Sequence, residues 1–367
     1  MVIVLFILFI SFMLREGNNQ KFSGEAGIGL LTTHLLLEGP IKNEKTSFIL
    51  SGRRTFLDVA TLPFKNKNLN DLPAYYFYDL NGKSNHRINK RNRIYLSIYT
   101  GEDYSGTKYK GSSGDFSKKF ECSNGFGWSN LTTSARWNSV FSKRLFSNLT
   151  FIYSKYLFKT EETKSETFDP NGILDVYQSR YTSGIDDIGG RWDIEFYANT
   201  FHTLRTGTNY TYHTFNPGFN IRKDLQDSIN NSLDTSYGNK KINIRDIYLY
   251  AEDEIKIKRF TINLGVHFSV FKVEGVNYNL IQPRMSMSYE VTSKLNLKAG
   301  YGILNQHLHL LTNSSIGLPT DLWLPATRRI KPQHGAYYST GAYYAFPKGL
   351  KLSMEGYYRE MKNLIEL

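Results

Sequence analysis

The segment Arg259–Phe271, RFTINLGVHFSVF, carries an apolar side chain at every second position from Phe260. Ile262, Leu264, Val266, Phe268 and Val270 follow, with Thr261, Asn263, Gly265, His267 and Ser269 between them. Side chains of an extended strand point to opposite faces in turn, so a period of two predicts a strand with one apolar and one polar face. The pattern recurs. Leu295, Leu297, Ala299, Tyr301 and Ile303 oppose Lys294, Asn296, Lys298, Gly300 and Gly302. Ile94, Leu96 and Ile98 oppose Tyr95, Ser97 and Tyr99; Leu131, Ala135, Trp137 and Phe141 oppose Thr132, Ser134, Arg136 and Asn138. Leu352, Met354, Gly356 and Tyr358 oppose Ser353, Glu355 and Tyr357. No stretch of comparable length has a helical period, and the chain is expected to be all-β.

The connections sharpen the expectation. Short ones fall at Ile41–Lys45, Asn89–Asn92, Ser142–Ser147, Ala198–Phe201, Lys258–Arg259, Thr292–Lys294 and Pro347–Gly349. Long polar stretches lie between them, at residues 56–72, 103–127, 159–184, 216–244, 272–281 and 304–335. A soluble sandwich or a solenoid seldom alternates tight turns with long unstructured loops, and the chain shows no fixed-period repeat. Membrane barrels have tight turns at one end and long loops at the other. The pattern predicts about 14 strands with cores of about 9 to 13 residues, long enough to cross a bilayer at a tilt. The apolar face would meet lipid. Asn263 and His267 would face water or a plug, and Phe260 and Phe268 would lie near the edges of the hydrocarbon.

Composition changes this picture little. The 367 residues are 40% hydrophobic and 15% aromatic, with 26 Tyr and 24 Phe, types that favour half-buried strands and membrane interfaces. One cysteine, Cys122, leaves no internal disulfide framework and suits neither a zinc site nor a redox pair. The net charge of +12 is scattered along the chain with no nucleic-acid motif, so nucleic acid is not an expected partner. No apolar run reaches the length of a membrane-spanning helix. Met1–Met13 is strongly apolar but has neither a basic start nor a small-residue cleavage site, which leaves open a poor signal, a hydrophobic strand or sequence foreign to the rest.

Candidate chemistry is sparse. There is no serine elbow, HExxH, P-loop or paired-cysteine motif, so no catalytic residue, no cofactor and no enzymatic activity are expected. His307 and His309 in NQHLHLL share a face if extended, but spacing supplies no third metal ligand. Acidic residues in Lys159–Gly172 suggest a solvated loop or a weak cation site. Tyr75–Tyr76, Tyr337–Tyr338, Tyr343–Tyr344 and Tyr357–Tyr358 place one tyrosine on each face, as an aromatic girdle or as cross-strand packing. Lys42, Lys45, Lys90, Arg91, Lys143, Arg144, Lys258 and Arg259 cluster at the short turns, either against lipid phosphates or in water.

Several stretches in order resemble TonB-dependent outer-membrane receptors of the Bacteroidota type. Leu14–Ile41 with Ser47–Asp58, SFILSGRRTFLD, resembles the passage from the end of a plug into the first barrel strands. Tyr78–Tyr104 resembles the next hairpin, and Leu280–Gly302 with His307–Pro325 resembles the mid-barrel, marked by Pro283–Arg284. The resemblance implies a plugged barrel of about 22 strands that takes up a scarce nutrient, an iron chelate, cobalamin or an oligosaccharide, powered by the TonB complex. It implies an outer-membrane location and outer-membrane lipid as partner. Residues 1–13 are then an apolar segment, 14–25 the tail of a plug, and 26–367 a partial barrel. Most of a plug and a TonB box are absent, and YYREMKNLIEL ends short of closing strands, so a fragment not competent alone is expected. Its open sheet edges cannot be left in hydrocarbon. His307, His309 and Trp323 are the ligand-contact candidates. A passive pore or a surface adhesin remains as the alternative.

Overall fold

The computed structural model describes residues 15–42, 44–60, 74–112, 118–168, 173–226, 231–238, 240–311 and 322–365; the Met1–Met13 segment lies outside them. The first strands are β1 (Ser23–Ile28), β2 (Thr32–Lys42), β3 (Thr46–Thr55), β4 (Ala74–Arg87), β5 (Asn92–Ser112) and β6 (Lys118–Val140). Then come β7 (Leu145–Phe168), β8 (Ile173–Tyr197), β9 (His202–Gln226), β10 (Asn231–Tyr237), β11 (Ile242–Ile257) and β12 (Phe260–Val273). The last are β13 (Val276–Glu290), β14 (Leu295–Gln306), β15 (Leu308–Leu311), β16 (Leu322–Pro325), β17 (Gln333–Ala345) and β18 (Lys351–Lys362). Each strand pairs antiparallel with its sequence neighbour, in the order β1 to β9, β11 to β14, β17, β18, with β10 folded back on β9. β15 and β16 form a separate two-stranded sheet. The main path has one strand more than the pattern suggests, because β1 carries little alternation.

Register assigns the faces. Phe268 stands opposite Leu249 and Ile281, and Val266 opposite Ala251 and Pro283, so apolar side chains line up from strand to strand. The outward row includes Leu96, Phe151 (59% exposed), Ile188, Leu249 and Ile281 (65% exposed). Such a continuous exposed apolar band has no favourable contact in water and suits hydrocarbon. At one end the short turns close it. There Phe260 stacks on Tyr289 at 4.3 Å and Tyr344 meets Phe346 at 4.5 Å, an aromatic belt beside the turns, while Phe146 meets Tyr197 at 5.7 Å on the inner face at the same level. At the other end outward charges end it: Glu102, the facing pair Lys155–Asp186, and the facing pair Arg245–Lys272. Each strand crosses this band in about 9 to 11 residues, the span expected of a tilted transmembrane strand.

The inner face is polar and cross-linked. Arg205 bridges Glu195 and Glu254 at 3.3 and 3.2 Å, Arg191 pairs with Asp193 at 2.8 Å, and His267 meets Glu252 at 3.2 Å. His267 and Asn263 are on this face, as the alternation predicts. The tyrosine pairs divide between the faces: Tyr338 joins an outward row with Tyr301 and Tyr358, while Tyr337 meets Tyr357 within.

The expected short turns are all present, but most of the long polar stretches are not loops. β5 and β6 run on to Ser112 and from Lys118, β7 and β8 to Phe168 and from Ile173, and β9 to Gln226. Above the apolar band both faces are wet, so the period-two signal disappears although the ladder continues. The acidic residues of Lys159–Gly172 lie largely on β7, where Glu161 pairs with Arg180 at 2.9 Å and Glu162 with Lys164 at 2.6 Å. Residues 272–281 close on Glu274–Gly275, both at positive φ (42° and 79°), as a two-residue hairpin turn requires. Pro217, which cannot donate to a ladder, lies at the bulge between Thr182 and Gly184, where Tyr181 Oη donates to its carbonyl at 2.9 Å.

Candidate functional site

Beyond Gln306 the chain leaves the wall and turns inward. The β15–β16 hairpin lies over the inner face of β9 to β13, where Phe215, Ile244, Phe271, Val273 and Ala326 form a buried cluster. Leu308, Trp323 and Leu324 pack against it. The stem is held at several points: Ala326 N donates to His307 O at 2.7 Å, Tyr278 Oη to Thr327 O at 2.6 Å, and Asn305 N to Gln282 Oε1 at 3.1 Å. The His307 ring stacks on Phe271 at 4.5 Å and 16°, and its Nδ1 is 3.3 Å from Tyr248 Oη.

Beside the stack is a buried charged group. His213 Nδ1 is 2.7 Å from Asp187 Oδ1, and its Nε2 is 3.9 Å from Asp246 Oδ2. His213 and Asp187 stand one position above the Arg245 row and Asp246 one position below it, level with the outward charges that end the apolar band and on the inner, wet face. Burial alone would lower the His213 pKa, but the hydrogen bond to Asp187 and the nearby charges of Asp187 and Asp246 outweigh it and raise His213 to about 9. Burial moves His307 and His309 the other way, below the ordinary histidine value, with added repulsion from His213 on His307 and from His307 on His309. Several buried polar atoms are unpartnered here: His307 Nε2, His213 Nε2, Asp246 Oδ1, Gln333 Oε1 and both ring nitrogens of His309. Asp246, Tyr248, Asn305, His307, Gln333 and Tyr337 line a cavity of about 560 Å³. Donors and acceptors therefore face one open volume beside an aromatic wall. Among the described residues no group of three or more His, Cys, Asp or Glu is arranged to hold a metal ion.

A family model of the TonB dependent receptor-like β-barrel matches residues 45–367. The chain belongs to this family. Its structural likenesses agree in fold. The ferric-catecholate import receptor Fiu of E. coli K12 superposes with a TM-score of 0.59 at 13% identity, covering 95% of this chain and 59% of that one. A variant of the ferric enterobactin receptor PfeA of Pseudomonas aeruginosa gives 0.55 at 15% identity, covering 94% and 52%. The RagAB peptide transporter gives 0.56 at 10% identity, covering 90% and 44%. The chain spans about half the length of the solved receptors it matches. No curated protein matches the sequence. The family consists of receptors and transporters, and its barrels belong to outer membranes.

In this TonB-dependent receptor barrel, the three residues singled out from sequence all lie on or next to the inward hairpin. His307 and His309 are buried, and Trp323 is half-buried on the cluster. His307 lines the cavity, whereas His309 and Trp323 do not. His213, Asp187, Asp246, Tyr248 and Phe271 were not singled out. Alternation alone could have placed His213, Asp246 and Tyr248 on the polar face, but the register that joins them across strands has no local signal.

A second inner-face group anchors the start of the described chain. Glu38, 3% exposed, accepts from Arg15 Nη2 at 2.6 Å, Asn18 N at 3.1 Å and Ser23 Oγ at 3.0 Å. Gly17 lies against the Phe48 carbonyl, too close for a Cβ, and its own carbonyl accepts from Ser47 Oγ at 2.8 Å. Nearby, Arg136 covers the Tyr95 ring at 4.3 Å, with Lys83 at 5.6 Å and Arg93 at 5.9 Å.

Proposed function

We propose that the chain is barrel wall of an outer-membrane receptor that imports a scarce nutrient with energy from the TonB complex. Residues 14–25 act as the tail of a plug and 26–367 as wall. The observation that carries the reading is the division of faces: an apolar band outside, and inside it a polar wall with a cavity lined by unpartnered donors and acceptors. Family membership supplies the coupling partner. The solute is an iron chelate, cobalamin or an oligosaccharide. Fiu and PfeA are named for ferric catecholate and ferric enterobactin, and RagAB for peptides, so the neighbours do not agree on one solute. The inward hairpin with His307, His309 and Trp323 is the contact offered to it.

Deletion of the gene, followed by growth on ferric siderophores, cobalamin or oligosaccharides each as sole source, tests the reading. Loss of growth on one of them, restored by the gene and abolished by collapsing the inner-membrane proton gradient, is expected. Unchanged growth together with lower general permeability would identify a passive pore. Recovery of the chain in the soluble fraction without detergent would remove the membrane reading altogether.

A further inference from the structure

The outward charges at the end of the apolar band are not alike. Around β7 and β8 they compensate one another: Lys155 reaches Asp186 at 3.7 Å, and Lys159 reaches Glu102 at 3.9 Å. On β11 and β12 they do not. Arg245 stands directly opposite Lys272 in register, both exposed. Like charges directly opposite on one face of an antiparallel pair destabilise it. Among the described residues neither has a carboxylate partner. Asp246, next to Arg245 in the chain, points to the inner face toward His213, and the acid closest to Lys272, Glu274, pairs with Lys240 at 3.5 Å; exposed Lys241 adds another cation. On the far side of Arg245 is Tyr212, and Val270 and Ile247 continue the outward row into the apolar band.

We propose that Arg245 and Lys272 form a seat for the phosphate of an anionic membrane lipid, whose acyl chains lie along Ile247, Val270 and Phe268. The position favours a lipid over a free anion. The two cations are at the level where hydrocarbon gives way to headgroups, a tyrosine flanks them, and apolar side chains continue directly below. A phosphate between them turns a repulsive cross-strand pair into two attractive contacts, with Arg245 able to present two N–H groups at once. The proposal rests on the membrane-embedded reading of the apolar band.

The full chain in phosphatidylcholine nanodiscs doped with phosphatidylglycerol or with diphosphoryl lipid A, followed by native mass spectrometry after mild delipidation, tests it. The unaltered chain is expected to retain anionic lipid in preference to phosphatidylcholine. R245Q/K272Q should lower that retention roughly thirtyfold, from about a fivefold effect per surface cation. R245K/K272R should keep most of it, which guards against loss through misfolding. K108Q/K110Q, which removes two cations held by Glu121 far above the band, should leave it unchanged. Equal retention by R245Q/K272Q, an equal loss in K108Q/K110Q, or displacement by free pyrophosphate at low concentration would overturn the seat. Failure of the chain to enter nanodiscs at all would instead overturn the membrane reading.

Discussion

At the scale of single residues, the inward hairpin depends on histidines with opposite preferences. His213 is stabilised as a cation between Asp187 and Asp246, so its contribution is complete below the ordinary histidine pKa, about 6.5, and is lost as pH rises through about 9. His307 and His309 are buried with lowered pKa, and both ring nitrogens of His309 lack a partner. They favour the docked hairpin while neutral, and that support weakens as pH falls below about 6.5. Docking should therefore be strongest at about pH 6.5, weakening in acid as His307 and His309 take up protons and declining toward about pH 9 as His213 loses its own. Protection of the Ala326 amide, which donates to the His307 carbonyl, reads this by hydrogen exchange. A profile that is flat across both limbs would refute it. H309F keeps a planar ring and removes the orphaned nitrogens, so it should shift the acid limb downward. F271A removes the ring under His307 from a fully buried position and should cost about 3 to 5 kcal/mol in urea unfolding in micelles. A loss below about 1 kcal/mol would show that the cluster does not hold the hairpin.

At the scale of elements, neighbouring positions on one strand live in different solvents. Val266 is outward in the middle of the apolar band, while Asn263 faces the polar interior beside Ser286. V266R should destabilise the folded chain by about 2 to 4 kcal/mol, and N263R by no more than about 1. Equal costs, measured by chemical unfolding in lipid vesicles, would mean that the faces are misassigned. This division was legible in the sequence, because lipid on one side and water on the other force strict alternation in β12, β14 and the lower part of β5. The upper strands were not legible. Residues such as Thr163, Ser165 and Thr167 on β7 have water on both sides, and polar strand and polar loop look alike without a hydrophobic face. The site was legible to the same degree. His307 and His309 stood out as a short motif, but their partners come from β9, β11 and β12, joined by register alone.

At the scale of the whole molecule, the sheet has two edges. β1 and β18 each pair on one side among the described residues, and β18 is exposed at Leu352, Met354, Tyr357 and Tyr358. Unpaired backbone groups exchange readily with solvent, whereas those of an interior strand do not. In micelles the amides of β18 that point away from β17 should exchange at least about a hundredfold faster than those of β7 and β8. Uniform protection would show that the edge finds a partner strand.

The strands also differ greatly in length. β8 and β9, 25 residues each, run about 80 Å along their axes, against about 40 Å for the 12 residues of β14. All start from the same row of short turns, so the rim slopes: a high parapet over β6 to β9 descends to a low sill at β13 and β14. The hairpin with His307 springs from that sill. A molecule drifting toward the mouth would be screened on the tall flank and admitted on the low one, meeting the histidine-bearing hairpin first.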